Sequence, residues 1–83
     1  MPEEQIRMYG TVWCPDCQRA RYILSEHNIP YLWLDIDQDN EARAFVEKIN
    51  KGKRSVPTIV FPDDSALIEP SNAELEEKLA TLK

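Results

Sequence analysis

The sequence is poor in the residues that usually announce a function. Of its 83 residues, two are cysteine, two glycine and one histidine. So few soft ligands cannot complete a four-ligand structural zinc site without carboxylates or a second chain. So little glycine excludes a collagen-like or low-complexity chain, and no repeat or linker interrupts the sequence. No apolar run approaches the roughly 20 residues of a membrane span. A basic excess is missing too. Ten Lys and Arg against fifteen Asp and Glu leave a net charge of −5, which argues against nonspecific nucleic-acid binding. The opening residues Met1-Pro2-Glu3-Glu4-Gln5 are acidic and polar, where a secretory signal needs a basic start and an apolar stretch. No membrane or nucleic-acid partner is therefore expected, and the predicted location is cytoplasmic.

What remains is a globular composition, 42% apolar and 30% charged, of a size for one domain over residues 1–83. Chains this short have marginal cores and often recruit disulfides or metals. The only cysteines are Cys14 and Cys17, so what they do is the central question.

The pattern along the chain alternates. Ile6 and Met8 alternate with polar neighbours, and Tyr9-Gly10 follows, which predicts a first strand. After Thr11-Val12-Trp13, Pro15 suits the first turn of a helix. Cys17, Ala20, Leu24 and His27 fall at helical spacing, and Asn28 and Pro30 end the run. His27, at that helix's C-terminus, is expected to complement its dipole. Tyr31 to Ile36 predicts a second strand, in which Trp33 is expected to be core. Ala42, Phe45, Val46 and Ile49 trace an amphipathic second helix stopped by Asn50-Lys51-Gly52. Ile59 to Phe61 and Ala66 to Ile68 predict a hairpin of two strands. Ser71 and Glu74 form a capping-box pattern, opening a third helix with a buried stripe of Leu75, Leu79 and Leu82. The order β-α-β-α-β-β-α predicts an α/β fold, a four-stranded mixed sheet flanked by three helices.

Cys14-Pro15-Asp16-Cys17 thus follows a strand and opens a helix. Free N–H groups and the macrodipole at a helix start favour a negative charge, and the thiolate is the nucleophilic form of cysteine. Two intervening residues bring the second sulfur within reach of the first, and Pro15 stiffens the turn. Three plainer readings compete. A structural disulfide closing so short a loop would contribute only about 2 kcal/mol and would be unusual in a cytoplasmic protein. Half of a zinc site would lack its other ligands, and two inert buried thiols would leave the motif's position unexplained. A C-x-x-C sequence in a βαβ context is a redox motif of fair specificity. Far away in sequence, Pro57 in Arg54-Ser55-Val56-Pro57 stands at the start of a strand. There it is compatible with a cis bond or with an ordinary strand-entry proline.

Together, the order of elements, Trp13-Cys14-Pro15-Asp16-Cys17 and Arg54-Ser55-Val56-Pro57 resemble the glutaredoxin family of the thioredoxin superfamily. The resemblance runs from about Ile6 to Leu82 and is nearest to the short bacterial, mycoredoxin-type members. It implies a thioredoxin-like fold and a dithiol–disulfide oxidoreductase that reduces protein disulfides or mixed disulfides of proteins with small thiols. Cys14 would be the exposed nucleophile and Cys17 the resolving thiol. Pro57 would be a cis-proline facing Cys14, with the backbone of Val56 pairing with the substrate chain. The helix start at Ser71-Asn72 would hold a carboxylate of a small thiol, glutathione or an analogue, with Arg54, Lys51 and Lys53 adding positive charge. Trp13, beside Cys14, is expected to shield the site and contact substrates, as part of a binding surface with Pro15 and Asp16.

Two positions depart from glutathione-using members: Asp16 stands where Tyr is common, and Thr11 where a basic residue is common. No tightly bound cofactor or metal is expected. A small thiol or a flavoprotein reductase would supply electrons, disulfide-containing or thiolated proteins would be the substrates, and the chain would be a monomer. Two other functions stay open: an iron–sulfur cluster carrier bridging a dimer, and a redox-sensing module without turnover.

Overall fold

The computed structural model describes residues 5–82, so the acidic start at residues 1–4, which bears on the expected location, lies outside the described residues. The elements are β1 (Ile6–Gly10), α1 (Pro15–Glu26), β2 (Tyr31–Asp35), α2 (Asn40–Ile49), β3 (Thr58–Val60), β4 (Ala66–Ile68) and α3 (Asn72–Ala80). They follow the predicted order, in one sheet arranged β2-β1-β3-β4. β1 runs parallel to β2, with Met8 opposite Trp33, and antiparallel to β3, with Tyr9 opposite Thr58. β3 and β4 form the predicted antiparallel hairpin.

The two faces of the sheet follow from alternation in β1 and β3. Ile6, Met8, Ile59 and Phe61 join Ala20, Ile23 and Leu24 of α1 and Leu75 and Leu79 of α3 in one core. Tyr9 and Val60 face the other way and pack with Ile36 and with Ala42 and Val46 of α2. Tyr9 also stacks on Phe45, ring centroids 4.8 Å apart. The sheet is therefore a middle layer between α1 with α3 on one side and α2 on the other.

Helix ends are set by local chemistry. Past α1, Asn28 turns to φ 56°. The Ile29 and Asn28 N–H groups then donate back to the Leu24 and Ser25 carbonyls, both at 3.0 Å, as in a Schellman closure. Past α2, Lys51 takes the same left-handed position at φ 57°, and Gly52 N–H donates to the Glu47 carbonyl. Ser71 caps α3 with the full predicted capping box: Glu74 N–H donates to Ser71 Oγ at 3.1 Å, and Ser71 N–H donates to Glu74 Oε1 at 2.8 Å.

The structure departs from the sequence reading in several places. β3 lies one residue earlier than expected: Thr58 already pairs with Tyr9 and Ile68, and Phe61 N–H donates to the Ser65 carbonyl in the hairpin turn. β2 stops at Asp35, although Ile36 N–H still donates to the Gly10 carbonyl. Leu82 is 44% exposed rather than buried, since α3 ends before it and Thr81 is already the cap. Trp33 packs on the core as expected but is only half-buried, because β2 is an edge strand; the Arg21 guanidinium covers its ring from 4.2 Å. His27 caps α1 but spends its ring on another helix, with Nε2 lying 2.5 Å from Glu76 Oε1 on α3.

Ser71→Ala removes the acceptor of the α3 capping box. Urea denaturation should show a loss of about 1 kcal/mol, with no change in the dependence on denaturant concentration.

Candidate functional site

The Cys14-Pro15-Asp16-Cys17 motif is built on the end of β1. This strand is hydrogen-bonded on both sides, so its C-terminal end at Gly10 is held firmly, and the loop of residues 11–13 leads directly from it into α1. Cys14 is the N-cap of α1, in extended conformation (φ −83°, ψ 117°), with Pro15 at the first helical position. N-caps are usually Ser, Thr, Asp or Asn, whose side-chain oxygen accepts an orphan N–H. Here the Cys14 sulfur takes that place and accepts the Cys17 N–H at 3.3 Å. Both thiols are free.

Cys14 was expected to be exposed, but it is only 7% so. Its sulfur is turned back over the helix start to accept that hydrogen bond. The residues ahead of it are the open ones, Val12 at 60% and Trp13 at 67%. The loop is tied on both sides: Trp13 Nε1 donates to Asp37 Oδ2 at 2.9 Å, and Gln18 Nε2 donates to the Val12 carbonyl at 2.9 Å.

Cys17 is fully buried. Its sulfur lies so close under Gly10 that a Cβ there would stand 2.6 Å from it and 2.9 Å from the Trp33 ring. Burial is the main reason its thiol is pushed up to about 12. A backbone hydrogen bond from Thr11 opposes that shift, while Cys14 and Asp16 add to it. At neutral pH Cys17 therefore holds its proton. Thr11 is itself buried, and its Oγ1 has no hydrogen-bond partner among the described residues. An unpaired buried hydroxyl costs about 1–3 kcal/mol.

Two other segments converge on the same end of the sheet. The Val56–Pro57 peptide is cis and Pro57 is buried. Since Tyr9 faces Thr58, Pro57 comes beside the end of β1. The Pro57 carbonyl accepts the Glu69 N–H at 2.8 Å, which ties this loop to the segment entering α3. Arg19 completes the link. Its Nη2 donates to Asp16 Oδ1 at 2.8 Å, and its Nη1 donates to Asn72 Oδ1. Asp16 and Asn72, far apart in sequence, thus share one guanidinium.

The remaining expected site residues are placed differently. Ser71 N–H, expected to be free for a carboxylate, is taken by Glu74. The unshared donors of a helix start are then those of Asn72 and Ala73, which the helix itself cannot use. Arg54 is exposed, and its Nε donates to Glu47 Oε2 of α2 at 2.8 Å. Its charge is matched there rather than directed to the thiols; Lys51 and Lys53 are exposed. The sequence reading missed Arg19, although its spacing from Asp16 is a helical ion-pair spacing. It also passed over Asp37, Gln18 and Gly10, whose roles depend on contacts across the fold. Among the described residues, no group of three or more His, Cys, Asp or Glu side chains is placed to hold a metal ion. Nor is any helix there long and apolar enough to cross a membrane.

Two outcomes test this geometry. Gly10→Ala forces a Cβ against the Cys17 sulfur and the Trp33 ring, and thermal and urea unfolding should show a loss of about 1–3 kcal/mol. The second is pH dependence. The unfolded chain ionises Cys17 near 9.0, the folded chain only near about 12. Between those values the unfolded state holds fewer protons, so the part of the stability that Cys17 controls is intact below this window and is lost as pH rises through it. Cys17→Ala should remove that loss. Urea midpoints at about pH 8 and about pH 11 should shift in the variant's favour, relative to the unsubstituted chain, at the higher pH.

Residues 6–66 match the family model described as Glutaredoxin. A Mycobacterium tuberculosis protein named as a glutaredoxin is 38% identical over 77 residues, covering 93% of this chain and 92% of its own length. Mycoredoxin 1 of Corynebacterium glutamicum is 35% identical over 77 residues, covering 93% of this chain and 95% of its own. Among solved structures, a glutaredoxin from Archaeoglobus fulgidus superposes with a TM-score of 0.74 at 26% identity, over 92% of this chain and 86% of that one.

Proposed function

The chain belongs to the glutaredoxin family and is a thiol–disulfide oxidoreductase with a thioredoxin-like fold, and from that premise we propose that Cys14 and Cys17 are its redox pair, with Cys14 the nucleophile. The observation that carries this reading is the 3.3 Å hydrogen bond from Cys17 N–H to the Cys14 sulfur at the start of α1. That bond aims an N–H donor at the Cys14 sulfur at the start of α1, where the developing charge of a nucleophilic sulfur would be met. Cys17, buried and protonated, waits as the resolving thiol.

The reaction then has two displacements. The Cys14 thiolate attacks one sulfur of a disulfide; the old bond breaks, and the departing sulfur leaves with the electron pair and picks up a proton. A mixed disulfide remains on Cys14. Cys17 then gives up its proton and attacks the Cys14 sulfur, releasing the second thiol and leaving the pair oxidised. Two small thiols, such as glutathione or an analogue, or a flavoprotein reductase return two electrons. Substrates on this reading are disulfide-containing proteins or proteins thiolated by a small thiol.

Substrate binding is assigned to the groups gathered around the pair. The Val56 backbone beside cis-Pro57 would pair with an extended substrate segment. Exposed Trp13, with Pro15 and Asp16, would form the contact surface ahead of Cys14. The N-terminal turn of α3 that Ser71 caps, through the Asn72 and Ala73 N–H groups and with Arg19 beside it, is suited to a carboxylate of the small thiol. Arg19 supports this better than Arg54, because it already bridges Asp16 and Asn72, whereas Arg54 is held by Glu47. We read the chain as one domain over residues 1–83, monomeric and cytoplasmic.

Cys14→Ser should reduce disulfide turnover to background. Cys17→Ser should still attack, and it should accumulate a mixed disulfide on Cys14. Mass spectrometry of the Cys17→Ser protein recovered from its native cell would name the adduct. Full activity of Cys14→Ser would overturn the reading, and a brown protein from anaerobic purification would favour a bridging iron–sulfur cluster instead.

A further inference from the structure

The loop between β1 and α1 is held from two sides by side chains of other elements. Gln18, on α1, donates Nε2 to the Val12 carbonyl at 2.9 Å. Asp37, in the turn after β2, accepts the Trp13 indole N–H on Oδ2 at 2.9 Å. Asp37 is itself fixed. Its N–H donates to Asp35 Oδ1 at 2.9 Å, and the Gln38 and Asp39 N–H groups donate to the Asp35 carbonyl at 3.1 and 2.9 Å. Asp35 is the partner of Gly10 in the β1–β2 ladder. The chains leading to Trp13 and to Asp37 therefore leave the sheet side by side and meet again a few residues later. What this arrangement holds is open to solvent: Trp13 and Val12 are among the three most exposed large apolar side chains of the described residues. An exposed Trp without an anchor moves among rotamers. Here the one polar atom of the ring is tied to a rigid turn, although almost no burial rewards the order.

We propose that Asp37 and Gln18 are positioning residues that hold Trp13 and Val12 as a preformed apolar docking surface for disulfides carried on polypeptides. The proposal rests on the reading of Cys14 as the nucleophile, because the surface runs directly into that residue. A cysteine within a polypeptide brings neighbouring side chains with it, and an apolar one can cover the Trp13 ring and Val12. The ring is ordered before the partner arrives, so docking loses less conformational freedom than it would on a mobile side chain. Tryptophan is also among the residues that most often dominate protein contacts, since its large ring excludes water over a wide area. A small disulfide has no such neighbours and reaches Cys14 without this surface. Asp37 and Gln18 touch neither the sulfurs nor the substrate; they act through Trp13 and Val12.

The test compares two mixed disulfides of one coloured aromatic thiol. The first is formed with a short peptide whose cysteine is flanked by leucines, the second with mercaptoethanol. In both, the Cys14 thiolate attacks the aliphatic sulfur, and the aromatic thiolate leaves with the electron pair, so one absorbance follows both reactions. Asp37→Ala should lower kcat/KM for the peptide relative to mercaptoethanol by about two- to tenfold, the effect of leaving one large side chain to be ordered on binding. The loss should lie in KM, with kcat kept. Gln18→Ala should lower the same ratio. Asp37→Asn still offers the indole an acceptor and should keep the ratio. Trp13→Phe retains a ring without an N–H, and in that background Asp37→Ala should lower the ratio no further. Fluorine NMR of protein labelled with fluorotryptophan reads the ring itself: the Trp13 signal should narrow in Asp37→Ala while that of Trp33 stays unchanged. An unchanged ratio in Asp37→Ala would overturn the proposal, as would equal slowing of both substrates or an undiminished effect of Asp37→Ala in the Trp13→Phe protein. If Cys14→Ser still turned over the mercaptoethanol disulfide at full rate, the reading of Cys14 itself would fail instead.

Discussion

One hydrogen bond organises this site: the Cys17 N–H reaches back to the Cys14 sulfur. It makes a cysteine the N-cap of α1, which settles several things together. The sulfur is drawn over the helix start, where the Cys17 N–H points at it and the helix dipole presents its positive end. Cys17 is carried round the first turn and down into the interior, against Gly10 and Trp33. Two chemically identical thiols are thereby placed in opposite environments, one at the positive end of a helix and one in a dry pocket. The asymmetry requires the end of β1 to be rigid, and pairing to β2 on one side and β3 on the other supplies that rigidity. It also requires Gly10 to lack a side chain, because the space a Cβ would occupy is taken by the second sulfur.

The electrostatics of the site are local and differ from the average. The chain as a whole carries net −5, and the motif itself contains an acid, Asp16. Arg19 meets that acid across one helical turn and continues to Asn72 at the start of α3. A surface ion pair of this kind adds little to stability. Its consequence is positional, because it sets a guanidinium between the two-cysteine motif and a helix N-terminus. The basic run from Lys51 to Arg54 had looked like the source of positive charge. Its arginine is instead matched by Glu47, and its first lysine serves as the left-handed residue that ends α2.

Much of this was legible in the order of residues. Strand and helix periods are local, so the alternation of Ile6 and Met8 and the spacing of Ala42, Phe45, Val46 and Ile49 reported their elements directly. Capping chemistry is local too, and Ser71 with Glu74 behaved as their spacing implied. The failures were of another kind. Leu82 fitted the apolar stripe of α3, but the helix ended two residues before it. Trp33 does pack on the core, but from an edge strand, so it stays half-buried. His27 was read against its own helix, and its partner turned out to be on another. For Leu82 the deciding fact was the local end of α3; for Trp33 and His27 it was a neighbour distant in sequence.

The sequence by itself determined the fold class and the motif: the periods of the apolar residues, the turn and capping residues, and two cysteines spaced for one helical turn after a strand. These are short-range properties, encoded within a few residues of where they act. Only the tertiary structure decided which thiol is the more deeply buried, which arginine stands beside the motif, and that the buried hydroxyl of Thr11 has no partner among the described residues. Those facts depend on packing across the sheet, where Gly10, Trp33 and Cys17 meet, and on contacts between α1 and α3, where Arg19 meets Asn72. Burial and charge pairing are set by what surrounds a group in space, and here most of those surroundings come from other parts of the chain.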